Sequence, residues 1–249
     1  MGTAAALEVR HLVKHYKGAA TPAVNKISFS IANGEIWGLL GPNGAGKTTT
    51  ISILCGLLKQ TKGDVLIKGY THNRNSKQIK QLISIVPQDI ALYPSLTAAE
   101  NLRYIGNMYG LKGEFLDKRI DDYLTLFGLK EVAGKRVETY SGGMKRRINL
   151  IAGILHDPQI VFLDEPTVGV DVQSRNMITT FLQDLNRKGT TIVYTSHLME
   201  EAQHLCTHIA IIDHGVIIAT GTPEELISQH NCRNLEDLFL KLTGRKLRD

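Results

Sequence analysis

The stretch "GPNGAGKTTT", Gly41 to Thr50, decides how the rest of the chain is read. It follows the apolar run "EIWGLL" and packs three glycines, a proline and a lysine into its first seven residues. Glycine costs backbone entropy, so this density implies a backbone held in unusual dihedrals or approached closely by something. Gly41, Gly46, Lys47 and Thr48 satisfy the spacing G-x-x-x-x-G-K-[ST] between a strand and a helix, the context of a phosphate-binding loop. The run Gly41, Pro42, Asn43, Gly44, Ala45, Gly46, Lys47, Thr48 and Thr49 is therefore read as a cradle for a triphosphate. Its N–H groups turn inward as an anion nest, and the helix N-terminus adds partial positive charge. Lys47 is expected to reach the β- and γ-phosphates, and the Thr48 hydroxyl to coordinate Mg²⁺.

A partner for that loop lies in "IVFLDE", Ile160 to Glu165. A buried strand ending in two carboxylates places them at the carboxyl end of a sheet, where ligands bind in open α/β folds. Asp164 is expected to hold Mg²⁺ through water, and Glu165 to polarise the attacking water in phosphoryl transfer.

The segment "YSGGMKRR", Tyr140 to Arg147, narrows the choice of P-loop enzyme. Ser141 is a good N-cap, and with the N–H groups that follow it makes a second phosphate-suited helix start. A cap alone does not explain two glycines directly after it. The segment resembles the signature peptide of ATP-binding-cassette (ABC) ATPases, commonly "LSGGQ". Ser141, Gly142 and Gly143 match, while Tyr140 and Met144 depart at the first and last positions.

Other elements follow in that family's order. Gln88, after "LISIVP", resembles the Q-loop glutamine, which lies near Mg²⁺ and faces the transmembrane partner. Asp171 in "TVGVD" resembles the D-loop acid, and His197 in "YTSH" the switch histidine at the γ-phosphate. Tyr16 resembles the aromatic that stacks on adenine; a half-buried strand tyrosine is the alternative. The resemblance covers about residues 7 to 225. It implies an α/β fold, a P-loop NTPase core with an antiparallel β subdomain and an inserted α-helical subdomain. It implies a nucleotide sandwich in which the "SGG" of one subunit faces the P-loop of another, so a second ATPase subunit is required. Membrane permease subunits are the other implied partners, with the chain cytoplasmic and peripheral on the inner face of the membrane. The ending "NLEDLFLKLTGRKLRD" resembles ATPases serving exporters of drugs, polysaccharides and similar cargo. The expected function is ATP hydrolysis powering export; an importer subunit and a soluble non-transport ABC ATPase are the alternatives.

Composition agrees with a globular α/β enzyme: 249 residues, 43% hydrophobic and 21% charged, which excludes disordered and fibrous classes. Cys55, Cys206 and Cys232 are scattered and form no C-x-x-C pair, so reduced thiols are expected. No apolar run reaches the roughly 18 residues that cross a bilayer, and the start "MGTAAALEVRH" lacks a secretory signal's core. The net charge of +5 gathers at Lys145–Arg147 and in a tail with Lys241, Arg245, Lys246 and Arg248. Both clusters are read as solvated helix faces, with an acidic membrane surface as second reading. Without interleaved aromatics, nucleic acid is not an expected partner.

Periodicity supplies the remaining elements. "LEVRHLVKHY", "KISFSI" (Ile27, Phe29 and Ile31 on one face), "EIWGLL", "LISIVP", "QIVFLDE" and "TTIVYTS" read as strands, and "HIAIIDHGVIIATG" as a strand pair. "GDVLIKG" reads as a hairpin arm. A helix is expected from Lys47 to Leu58, and an all-helical insert over about residues 89–157. Capping boxes start helices at Thr97 with Glu100 and at Thr222 with Glu225. An ABC domain over residues 1–225 and a short helical tail over 226–249 complete the expected organisation.

Overall fold

The computed structural model describes residues 5–244. The extreme N-terminus and the basic residues Arg245, Lys246 and Arg248 lie outside them. Three strands, β1 (Leu7–Lys14), β2 (Val24–Ile31) and β4 (Lys62–Ile67), make an antiparallel sheet with β1 in the middle. Six more form the main sheet: β3 (Ile36–Leu40), β5 (Ile83–Val86), β6 (Ile160–Asp164), β7 (Thr191–Ser196), β8 (His208–Asp213) and β9 (Val216–Gly221). Their order is β5-β6-β7-β3-β8-β9, parallel except for the antiparallel edge strand β9.

The parallel strands are apolar runs because helices and the second sheet cover both of their faces. In β6, Val161 and Leu163 enter one core cluster while Ile160 and Phe162 enter the other. That second cluster also holds Leu7, Ile27 and Ile31, and so cements the antiparallel sheet to the main one. Between β5 and β6 lie α3 (Ala98–Met108), α4 (Gly113–Leu126) and α5 (Gly142–Ile154), with short 3-10 turns at Lys130–Val132 and Val137–Thr139. This is a P-loop α/β core with an antiparallel sheet and helical insertion, as expected. The remaining helices are α1 (Lys47–Leu54), α2 (His72–Leu82), α6 (Val172–Arg187), α7 (Met199–Leu205), α8 (Pro223–Gln229) and α9 (Leu235–Thr243).

Several local expectations need correction. Helix α1 ends at Leu54 rather than Leu58, because Gly56 turns at φ 73° and the Leu57 and Leu58 N–H groups both fold back to the Ser52 carbonyl. Strand β4 is no hairpin arm to a chain neighbour; it pairs with β1, Leu7 opposite Ile67. Helix α2 was not expected at all. A domain boundary after residue 225 falls inside α8, and Leu235, Leu238 and Phe239 of α9 are buried in the same cluster as the sheet residues Leu163 and Tyr194. The "KRR" cluster is not a solvated face: Arg146 is 7% exposed and bonded to main-chain carbonyls.

Topology places the site. The neighbouring strands β5, β6, β7 and β3 end, respectively, just before Gln88, at Asp164 with Glu165 next, just before His197, and just before Gly41. In register, Asp164 pairs with Thr195 and Leu40 with Ser196, so these ends are level. Residues far apart in sequence thus meet at one carboxyl edge.

Candidate active site

The P-loop glycines have two separate reasons. Gly46 holds φ 107° at the N-cap of α1, and Gly44 φ 81°, in the left-handed region that suits glycine. At Gly41 the reason is space: a Cβ there would lie 2.2 Å from the Ile212 carbonyl oxygen. Asn43, Gly44 and Thr48 are exposed, while Ala45, Gly46 and Lys47 are buried. Lys47 folds back over the loop, its Nζ donating to the carbonyls of Gly41 (2.8 Å) and Pro42 (3.1 Å). The same ammonium sits 3.1 Å from Glu165 Oε1, and both side chains are 5% exposed. A buried ion pair of this kind is strongly destabilised by losing one member, because the other charge remains unpaired.

Glu165 is bracketed. Its Oε2 lies 2.9 Å from His197 Nδ1, so Lys47 and His197 hold one carboxylate oxygen each. Its backbone takes φ 49°, uncommon for a non-glycine residue, and strain of this sort concentrates at functional positions. Thr195 secures it: the Glu165 N–H donates to the Thr195 hydroxyl (3.1 Å) and carbonyl (3.2 Å). The same hydroxyl donates to Asp164 Oδ1 at 2.6 Å. Thr195 orients both carboxylates, and sequence reading missed it. The available signal was a hydroxyl near the end of a buried strand, two residues before the histidine.

Tyr16 lies past the end of β1 and is 43% exposed, with its hydroxyl 3.4 Å from Thr49 Oγ1. It is therefore not a half-buried strand tyrosine but an accessible ring beside the P-loop helix. Gln88 is exposed, and its carbonyl accepts from Arg146 at 2.6 Å.

The signature segment differs. Ser141 caps α5, accepting from the Met144 N–H at 3.3 Å, and both Ser141 and Gly142 are exposed. Gly143 is buried, and a Cβ on it would lie 2.5 Å from Ser174 Oγ and 2.8 Å from Asp171 Oδ2. One of the two glycines thus has an intrachain explanation: it lets α5 pass the start of α6. Asp171 itself is the N-cap of α6, and bonds from the Ser174 N–H and hydroxyl hold its carboxyl below the ordinary range. Tyr140, in place of the common leucine, is buried and donates to the Val132 carbonyl at 2.5 Å.

The sequence profile of the family described as "ABC transporter" matches residues 24–168, from β2 through the turn after Glu165. The chain belongs to the ABC transporter family. The linearmycin resistance ATP-binding protein of Bacillus subtilis is 50% identical over 223 residues, which are 90% of this chain and 71% of that one. The doxorubicin resistance ATP-binding protein of Mycobacterium tuberculosis is 37% identical over 244 residues, 98% of this chain and 72% of that one. A dimeric ATP-binding cassette in a post-hydrolysis state, bound to ADP and Pi, superposes with a TM-score of 0.79 at 26% identity, covering 87% of this chain and 98% of that one. As an ABC ATPase the chain binds and hydrolyses ATP, and Lys47, Glu165 and His197 meet at the carboxyl edge of its main sheet. Among the described residues no helix is long and apolar enough to cross a membrane.

Proposed function

We propose that this ABC ATPase drives export through a separate membrane permease, acting on the cytoplasmic face as a dimer that closes around two ATP molecules. The observation that carries the reading is the double hold on Glu165. A γ-phosphate bound in the P-loop competes for Lys47, because phosphate is the stronger partner for the ammonium. Release of Lys47 frees Oε1 to accept a proton from the attacking water, while His197 keeps Oε2 in place. Stabilisation of the phosphoryl charge by Lys47 and by the loop amides supplies the rest. Mg²⁺, when bound, would supply positive charge against the charge that develops on the phosphoryl group. The hydroxyl of Thr48 and the carboxylate of Asp164 are the hard oxygen donors that suit such an ion, and Gln88 is the remaining candidate.

The exposed Ser141 and Gly142 support completion by a second copy, in which each signature helix start meets the partner's nucleotide. Asp171, on the adjoining turn, belongs to the same face. Export is favoured over import because both relatives are named for resistance to a drug. Residues 89–157 then act as the unit that carries the signature.

Glu165→Gln tests the reading. The amide cannot take a proton, so hydrolysis is lost while ATP still binds. Gel filtration with Mg·ATP should show a dimer that disappears with ADP, or when Ser141 is replaced by Arg. A fully active variant would remove Glu165 from its role, and a variant that stays monomeric even when co-expressed with its permease would remove the sandwich.

A further inference from the structure

Arg146 is the fifth residue of α5, and its guanidinium is buried without a carboxylate in ion-pair contact among the described residues. It gives its donors to main chain instead. Nη1 reaches the carbonyls of Gln88 (2.6 Å) and Pro87 (3.3 Å), and Nη2 approaches that of Val168 at 3.5 Å. Val168 closes the turn after Glu165, its N–H donating to the Glu165 carbonyl at 3.3 Å. One turn further along the same face of α5, the buried Asn149 accepts from the Ala91 N–H (3.1 Å) and donates to the Pro87 carbonyl (3.4 Å). Arg146 and Asn149 therefore grip the 87–91 turn at both ends, but Arg146 alone also reaches the Glu165 turn. Burial pulls the guanidinium pKa down, and the charges of Asp89 and Glu165 oppose that pull.

We propose that Arg146 is a positioning residue that locks the turn carrying Gln88 to the turn carrying Glu165, so that the two move as one body. The proposal rests on the reading above, in which Gln88 faces the permease and Glu165 activates water. A buried cation satisfied only by carbonyls from two loops has no better arrangement than holding both at once, since letting go of either leaves charge or carbonyl unpartnered. The planar fork matters: Nη1 and Nη2 are separate donors held at a fixed spacing and serve the two turns at once, whereas a lysine offers a single nitrogen on a flexible stem. Displacement of the 87–91 turn is thereby felt at Val168, three residues from the hydrolytic carboxylate. Two motifs some eighty residues apart in sequence are connected through one side chain.

Hydrogen exchange on the purified full chain tests this, with and without a saturating non-hydrolysable ATP analogue, read at the amides of 88–91 and 165–168. In the wild type, both segments should change protection together. In Arg146→Lys, the 165–168 response should stay within about twofold of wild type while the 88–91 response falls at least about fivefold. Analogue affinity should move less than about twofold, and kcat should fall about tenfold with KM unchanged, the pattern of a lost transition-state alignment. Asn149→Ala, which loosens the 87–91 turn but leaves the link to Val168, should keep the two responses together. Arg146→Met should behave as the lysine variant does, and if it fails to fold the lysine variant decides. An Arg146→Lys protein whose two segments still respond together, or whose exchange rises equally everywhere without analogue, would overturn the proposal. A wild type that binds no analogue would defeat the reading of the site and this proposal with it.

Discussion

Two glycine-rich helix starts in this molecule look alike as strings and differ as structures. At the P-loop, glycine answers demands from within the chain: φ 107° at Gly46 and the Ile212 carbonyl against Gly41. Its lysine is already engaged, held by two carbonyls and by Glu165. At the signature, Ser141 and Gly142 are exposed, neither glycine has positive φ, and a Cβ on Gly142 would meet nothing closer than the Gly169 carbonyl at 3.7 Å. The first start is a finished half-site. The second is an exposed helix start with only one glycine explained by its own fold. An intrachain need accounts for the conformation of one motif, and the proposed dimer would account for the openness of the other.

The largest expected effect strikes the finished half. Lys47→Ala removes the cation for the triphosphate and leaves Glu165 buried with only His197. Hydrolysis should fall at least about a hundredfold, the scale of losing one preorganised charge donor, and nucleotide binding should weaken. Steady-state ATPase assays and a fluorescent-nucleotide titration check both, and unchanged activity would dissolve the distinction between the halves.

The framework beneath is the next place to press. Phe239 of α9 is 2% exposed and packs in the cluster that also holds Met199, Ala202 and Leu205 of α7, the helix just after His197. Phe239→Ala should cost about 3–5 kcal/mol, a large share of the roughly 5–15 kcal/mol that stabilises a domain. Urea melts would measure it. Removing the chain from Leu235 onward exposes the same cluster, so it should destabilise the whole molecule rather than detach a dispensable tail.

What the sequence could and could not disclose divides along similar lines. The P-loop, the carboxylates after β6 and both capping boxes were legible because short-range chemistry dictates them: spacing, strand burial and side-chain caps all lie within a few residues. Helix α2 was not, since "HNRNSKQIKQL" buries only Ile79 and its Thr71 N-cap makes no side-chain bond, leaving neither a stripe nor a cap to detect. The pairing of β4 with β1 joins residues some sixty apart, such as Leu7 and Ile67, which no local pattern specifies. Arg146 misled for the opposite reason. Three adjacent cations read as a solvated face, and only the folded chain brings the 87–88 carbonyls over the second of them. The same holds for Thr195, whose role exists only because β7 lies in register with β6.

Tyr16 tests how far the finished half extends. It is exposed beside Thr49, and a ring so placed offers a stacking platform for a base. Tyr16→Ala should weaken ATP binding by about 1–3 kcal/mol, the usual range for aromatic–base stacking, with the fold retained because the ring lies outside both core clusters. Isothermal titration with ATP and with pyrophosphate separates base from phosphate contributions. Equal losses for the two ligands would show that Tyr16 acts through the P-loop helix and not on the base.

The smallest effect, and the sharpest test of the comparison, comes from adding one methyl group to each signature glycine. Gly143→Ala places a Cβ 2.5 Å from Ser174 Oγ and 2.8 Å from Asp171 Oδ2, which cap α6 together. Overpacking there should cost about 1–3 kcal/mol and show as a lower melting temperature in the free monomer. Gly142→Ala meets only the Gly169 carbonyl, at an ordinary van der Waals distance of 3.7 Å, and alanine suits a helix better than glycine, so the monomer's stability should move by less than about 0.5 kcal/mol. Its effect should appear only when two chains meet: in the Glu165→Gln background, the ATP-dependent dimer should weaken although each monomer melts normally. The contrast is what matters. If Gly142→Ala also lowers monomer stability by more than 1 kcal/mol, the exposed glycine serves its own fold after all, and the second helix start is as finished as the first. If instead the dimer forms undiminished with alanine at 142, closure does not bring another molecule against this surface at van der Waals range, and the openness of Ser141 and Gly142 requires a different occupant.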